Sequence, residues 1–322
     1  MCHRLVSPLT SPSDRLAISI TAPLLLRQRK LLRNVLLTHG GLDQLLDFLE
    51  GRGLEAGEPR AQVDEALEGN TPKELGDEGA KTGASDEEPG DSLWQGGCRG
   101  EVVQAVLALS HLALHLGLQP PPLLHPGEEV CSAPTWRHSS DLLLLLDSGE
   151  QVGASRSALA AASPVFAAML EGGFQEAGRG EVALPQVSAP ALACLLHHLY
   201  GCPAPCPASR ALGVATMLEI LGLADRFLLP ELHEAVTACL LARCLEAPAE
   251  LATVYRMALQ GGHQVQGATT TLSRAAVTLS LVGEVEAGAR AALVTSITAS
   301  DLRGDYIDDV ANLLRGKLLD KP

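Results

Sequence analysis

Apolar residues recur at two different periods along this chain, and the change of period divides it. Residues 24–37 are rich in Leu and punctuated by Arg at the helical period, and Gly40-Gly41 stops them. Leu42, Leu45, Leu46 and Leu49 then fall at i, i+3, i+4 and i+7, which predicts an amphipathic helix. Residues 101–117 carry another helical pattern, apolar almost all round and so expected to lie buried between neighbours. It ends at Gly117, with Pro120-Pro121-Pro122 beyond. Residues 1–22 hold Ser-Pro steps and no clear period, which predicts a flexible lead-in.

From residue 141 the units become shorter. Asp141 precedes the run Leu142 to Leu146, too short for a typical helix and closed by the turn signal Asp147-Ser148-Gly149. Gln151 to Ser155 can pair back on it as a hairpin strand. Ser157 to Ala162 starts a helix, and Ser163-Pro164 starts another with Ser at the N-cap and Pro at N1. Phe166, Met169 and Leu170 give that second helix an apolar face. Glu181 to Pro185 alternates as a short strand, Ser188 and Pro190 open a helix over 191–200, and helices around 211–228 and 231–244 complete the unit. Leu251, Val254, Tyr255 and Ala258 make one further stripe, followed by helical patterns at 270–281, 287–297 and 305–319.

Composition alters this picture in one place. Residues 51–97 are dense in Gly, Glu and Asp and nearly free of large apolar side chains, so they cannot offset the entropy of ordering and are expected to be a disordered acidic insertion. Ser85-Asp86-Glu87-Glu88 within it has the form of an acidophilic kinase site, or of a plain solubilising loop. Hydrophobic residues make up 46% of the chain and aromatics only 3%; the apolar mass is Leu, Ala and Val, a mix that favours helices. A net charge of −14 with no basic stripe argues against nucleic acid or an anionic membrane surface as partner. Eight scattered cysteines, mostly in helical contexts, read as reduced thiols of a cytoplasmic or nuclear protein. Arg27-Gln28-Arg29-Lys30 stands where a signal peptide would need small residues, so secretion is not expected.

Residues 141–245 resemble a BTB (POZ) domain almost phrase by phrase. The matching phrases are Ser140-Asp141-Leu142 through Leu146, Arg156 to Phe166, Met169 to Glu176, Val182 to Pro185, Leu195 to Tyr200, and Leu221 to Phe227. With the acidic insertion removed, the flanking helices are similar to an armadillo repeat: a glycine break, a Leu-x-x-Leu-Leu helix, a loop and a Val/Ala/Leu helix. One or two repeats cannot bury their faces alone, so these helices either belong to a longer array or pack on another domain. The expected fold is mainly α with a small β-sheet. Its parts are a lead-in at 1–22, armadillo-like helices at 23–50 and 98–118, the insertion at 51–97, and a Pro-rich linker at 119–135. The BTB domain follows at 136–245, then a BACK-like helical extension at 246–320.

The resemblance implies site residues. Asp141 and Arg156 fall on the acid and base that BTB domains bury in their core, and a buried pair of this kind is structural. Ser155 stands where the family usually has His, which departs from BTB proteins that recruit corepressors at that pocket. Members that recruit cullin-3 use a hydrophobic residue, any residue, then an acid; Phe174-Gln175-Glu176 fits, so Phe174 and Glu176 are the expected contacts with the cullin-3 N-terminal region. The implied role is a protein adaptor, the substrate-recognition subunit of a cullin-3 ubiquitin ligase, with its substrate on the armadillo-like region. A BTB-mediated dimeric scaffold or transcriptional cofactor is the alternative. Homodimerisation in this family often uses a helix before the first strand, a place taken here by the prolines of 120–135.

Catalytic and metal constellations are weak. Cys194, His197, His198, Cys202 and Cys206 cluster in sequence, but their spacing matches no closed zinc site and Cys194 lies on a core face, so free thiols are expected and no metal. His111 and His115 lack the intervening Glu of a metalloprotease helix, and Gly51-Arg52-Gly53 follows no strand. Neither a phosphate-binding loop nor a nucleophile elbow is found, so no enzyme and no cofactor are expected.

Overall fold

The computed structural model describes residues 12–26, 28–50, 98–124, 140–174, 178–202, 206, 212–261 and 268–320. The insertion at 51–97, Ser85 within it, most of the Pro-rich linker and Glu176 therefore lie outside the described residues.

Among the described residues, four helical segments precede the sheet: α1 (Pro12–Leu25), α2 (Arg29–Arg33, continued by a π-helical turn, Asn34–Thr38), α3 (Gly41–Glu50) and α4 (Cys98–His115). Helix α1 begins inside the expected flexible lead-in and runs through Pro23. Its inner side is buried, with Ser19 and Ala22 fully covered and the Ser19 hydroxyl donating to Gln44 Oε1 of α3 at 3.0 Å. The single helix expected at 24–37 is two pieces, with Leu26 and Gln28 outside both. Its second piece widens into the π turn, closed by the His39 N–H on the Asn34 carbonyl. Helix α3 buries Leu42, Leu45, Leu46 and Leu49, the stripe that the periodicity predicts.

The sheet has three strands in the order β2-β1-β3. Strand β1 (Leu142–Leu146) sits in the middle, antiparallel to β2 (Gln151–Ala154) and parallel to β3 (Glu181–Leu184). In register, Leu144 faces Val152 on one side and Val182 on the other. Five consecutive leucines suit the central strand because both of its faces are covered: Leu142, Leu144 and Leu146 are buried, while Leu143 and Leu145 are half-buried. The parallel β1–β3 pairing demands a crossover, which α5 (Arg156–Ala162) and α6 (Pro164–Glu171) supply. Helices α7 (Ala189–Leu199), α8 (Val214–Arg226) and α9 (Pro230–Glu246) complete this layer.

Serine caps fix where these helices start. Ser155 accepts from the Ala158 N–H, Ser163 from Phe166, and Ser188 from Ala191. Ser163 also donates to the Phe227 carbonyl at 2.8 Å, and the Phe166 and Phe227 rings stack with centroids 4.4 Å apart. Ser188 is held by Glu219 of α8, which accepts from its hydroxyl at 2.7 Å.

Helix α8 ends in a Schellman motif with a residue ill suited to it. Leu228 N–H bonds the Asp225 carbonyl and Leu229 N–H the Ala224 carbonyl, which places Leu228 at the left-handed position, φ 53°. Its side chain is 60% exposed, so it returns little burial for that strain. Leu228→Gly should stabilise the protein by about 1 kcal/mol, read as a shift of the urea midpoint. A neutral or destabilising result would mean that the leucine makes contacts worth more than its backbone strain.

The last four helices are α10 (Glu250–Gly261), α11 (Ala268–Val282), α12 (Ala287–Thr298) and α13 (Arg303–Leu319). Helix α10 packs on α8 and α9, so the extension grows directly out of the sheet layer. Its core is aromatic: Tyr255 and Tyr306 meet edge to face at 5.9 Å, and their hydroxyls reach Asp309 (2.8 Å) and Ser280 (2.7 Å). Burial pushes both phenols well above the usual tyrosine range.

The N-terminal helices pack on this extension. Helix α4 lies against α11 and α12 as well as α1 and α3, and α13 lies against α2 and α3. Polar ties reinforce the seam: the Arg29 guanidinium donates to the Lys317 carbonyl (2.7 Å), Arg303 to the Glu50 carbonyl (3.1 Å), and Arg315 pairs with Asp43 (2.5 Å). Beyond α4, Leu118 is buried and the Leu124 N–H bonds the Ala238 carbonyl of α9 at 3.3 Å. One cluster of buried side chains runs from Leu32 through the sheet to Leu318.

Candidate functional site

Phe174 follows α6 on a loop and is 63% exposed, the highest exposure among the aromatic side chains described. The loop is shaped by Gly172. A Cβ there would come within 2.2 Å of the Ala168 carbonyl oxygen, closer than any backbone tolerates, and within 3.4 Å of the Phe174 ring. The chain thus turns off the helix where no side chain fits and presents the ring to solvent. Sequence spacing places Glu176 two residues on, outside the described residues.

Asp141 and Arg156 are brought together, but not as a buried ion pair. The Asp141 side chain is exposed, and its carboxylate accepts the backbone N–H of Arg156 at 2.8 Å. The half-buried Arg156 guanidinium donates to the carbonyls of Leu170 (3.2 Å) and Arg179 (2.5 Å). Arg156 therefore ties the end of α6 to the lead into β3, and so steadies both ends of the loop that bears Phe174. The reason for the departure is local: Asp141 stands just before β1, its own N–H on the Ala154 carbonyl at the end of β2, and the Arg156 N–H that follows lies within reach of its carboxylate. Ser155 spends its hydroxyl on capping α5 and lies 3.1 Å from the Ser157 hydroxyl, while its N–H donates to Tyr200 Oη at 2.7 Å.

Of the five Cys and His residues around 194–206, the fold gathers three. His197, Cys202 and Cys206 place one donor atom each within 4.8 Å of one another. Spacing along the chain undervalues this cluster because a helix cap folds the loop back. His198 is half-buried and neighbours Glu231, and Cys194 packs in the core. His111 and His115 are exposed on α4.

Burial controls the thiols on α9. Cys239 is pushed up to about 11, by desolvation. Cys244 is pushed up to about 12, first by desolvation, then by Glu250, with Arg243 opposing. Both protonated forms favour the folded state, so this contribution is complete below the ordinary value of 9.0 and is lost as pH rises through the folded values. Iodoacetamide at pH 8 should leave Cys239 and Cys244 unmodified in the native protein and label them on denaturation in urea, read by peptide mass spectrometry. Rapid native labelling would show that these thiols are not buried.

Residues 134–243 match the BTB/POZ domain family, so this segment is a BTB/POZ domain. Over 245 residues, 73% of its length, it is 36% identical to armadillo repeat-containing protein 5 of Mus musculus. It spans 22% of that relative's length. The domain supports a protein-interaction adaptor. Among the described residues, no helix is long and apolar enough to cross a membrane.

Proposed function

We propose that this chain is a substrate-recognition adaptor of a cullin-3 ubiquitin ligase, holding the N-terminal region of cullin-3 through Phe174 and Glu176 and directing a bound protein to ubiquitination. The observation that carries this reading is the Phe174 ring, 63% exposed on a glycine-shaped loop of the BTB domain. An exposed aromatic anchor beside a charge has the composition of an interface hot spot. The helices α10–α13 support it, since cullin-binding BTB proteins carry such an extension. The armadillo-like helices of 23–50 and 98–118 would hold the substrate. Ser155 is engaged in capping, which favours this reading over recruitment of a corepressor at that pocket.

The full chain should bind the cullin-3 N-terminal region in a calorimetric titration. Phe174→Ala with Glu176→Ala should weaken that binding by at least about 30-fold, the loss of roughly 2 kcal/mol that a hot-spot residue carries. No binding by the wild-type chain, or equal binding by the double variant, overturns the proposal. Co-purification of corepressors without cullin would favour a dimeric scaffold or cofactor instead.

A further inference from the structure

Helix α7 ends in a Schellman motif that places two sulfur atoms and a ring nitrogen together. Gly201, at φ 83°, sends its N–H to the His198 carbonyl, and the Cys202 N–H returns to the His197 carbonyl, both at 2.9 Å. The left-handed glycine reverses the chain, so Cys202 lies over the turn that carries His197. Cys206 lies beside that turn, its Sγ 3.4 Å from His197 Nδ1. Both thiols are buried, 4% and 5% exposed, and the imidazole is half-buried.

These separations are those of a metal site. Tetrahedral zinc, with bonds of about 2.3 Å to sulfur and about 2.0 Å to nitrogen, holds its sulfur and nitrogen ligands roughly 3.5 Å apart. The 3.4 Å between Cys206 and His197 therefore fits with little movement, and all three donors fall within 4.8 Å. Charge balance fits too. Two thiolates and a neutral imidazole cancel a dipositive ion, so a neutral unit replaces separate charges in an enclosed place. Mixed sulfur and nitrogen donors without a carboxylate select zinc over magnesium or calcium. Cys194, one turn earlier on α7, belongs to the apolar core and is not among the gathered donors.

We propose that His197, Cys202 and Cys206 bind one zinc ion, leaving the fourth coordination position to water or a donor from outside the trio. Binding releases the two thiol protons and pins the α7 cap to the loop that leads towards α8. Loading of these ligands needs no partner, so it is tested apart from any binding of cullin-3.

The test uses the full chain, purified under reductant, stripped with a chelator and titrated with cobalt(II). One cobalt per chain should bind, with a thiolate-to-cobalt charge-transfer band and strong tetrahedral visible bands, both abolished by one equivalent of zinc. Cys202→Ser, Cys206→Ser and His197→Gln should each weaken zinc binding by more than the ~10–100-fold that outer-shell substitutions cost, while Cys194→Ser keeps the titration. His197→Gln alters a half-buried residue, so it reports on ligation even where a cysteine variant folds poorly. Zinc should raise the melting temperature of the wild type and not of His197→Gln. Absence of stoichiometric cobalt, bands that persist in Cys202→Ser with Cys206→Ser, or a Cys202–Cys206 disulfide found after rapid alkylation of intact cells would overturn the proposal.

Discussion

Phe227→Ala should cost the protein about 3–5 kcal/mol, roughly a fifth or more of the stability of an ordinary domain. Phe227 is fully buried and follows the last residue of α8, where its ring lies flat on that of Phe166 from α6, 3° from parallel. Its backbone is committed as well: the N–H caps α8 through the Leu223 carbonyl, and the carbonyl accepts the hydroxyl of Ser163, itself the N-cap of α6. One residue thus joins the end of one helix to the start of another. Truncation leaves a ring-sized void against Phe166, and the caps on either side keep the backbone from collapsing into it. Urea denaturation measures the loss. Phe166→Ala should cost a similar amount, and the double variant about 0.5–1.5 kcal/mol less than the sum, the coupling expected of an aromatic pair. A single-variant loss below about 1 kcal/mol would show that the stack does not hold α6 to α8.

The parts of this chain that a reader of the sequence can foresee are those whose geometry is set within a few residues. The leucine run with Asp147-Ser148-Gly149 is closed by a local turn, Ser163-Pro164 caps its own helix, and Val182 and Leu184 alternate because a strand alternates. The same locality made the BTB phrases readable. Helix α1 was not foreseen because residues 1–22 hold Ser-Pro steps and no clear period, yet Ser19 and Ala22 on its inner side are buried among the neighbouring helices. The His197, Cys202 and Cys206 cluster stood out in the sequence but was set aside on its spacing. Its spacing looks wrong on a straight helix and becomes right only after Gly201 reverses the chain. Arg156 was expected to pair with Asp141 in the core, whereas the Asp141 carboxylate takes the Arg156 backbone N–H and the guanidinium reaches the carbonyls of Leu170 and Arg179.

Least legible was where the N-terminal helices go. Two armadillo-like helices need a neighbour, and sequence order offers the sheet layer that follows them; the structure gives them α11, α12 and α13 from the other end of the chain. That arrangement predicts a non-local consequence. Leu109, in the middle of α4, is fully buried in the continuous core. Leu109→Asp must either bury an unpaired carboxylate, at a cost of several kcal/mol, or expel α4 from its place. Expulsion is the cheaper course, and it uncovers the faces of α11 and α12 that α4 covers. Hydrogen exchange followed by peptide mass spectrometry should then show lost protection at 268–298 as well as 98–115, while β1 and β3 keep theirs. Leu109→Ala, which removes volume without adding charge, should cost about 2–5 kcal/mol and keep α4 docked. Were protection to fall in α1–α4 alone, with 268–298 unchanged, the N-terminal helices would be an appendage rather than a wall of the C-terminal bundle. The substrate half of the proposed adaptor would then move independently of the half that holds the ligase; a shared core instead makes the two one rigid lever.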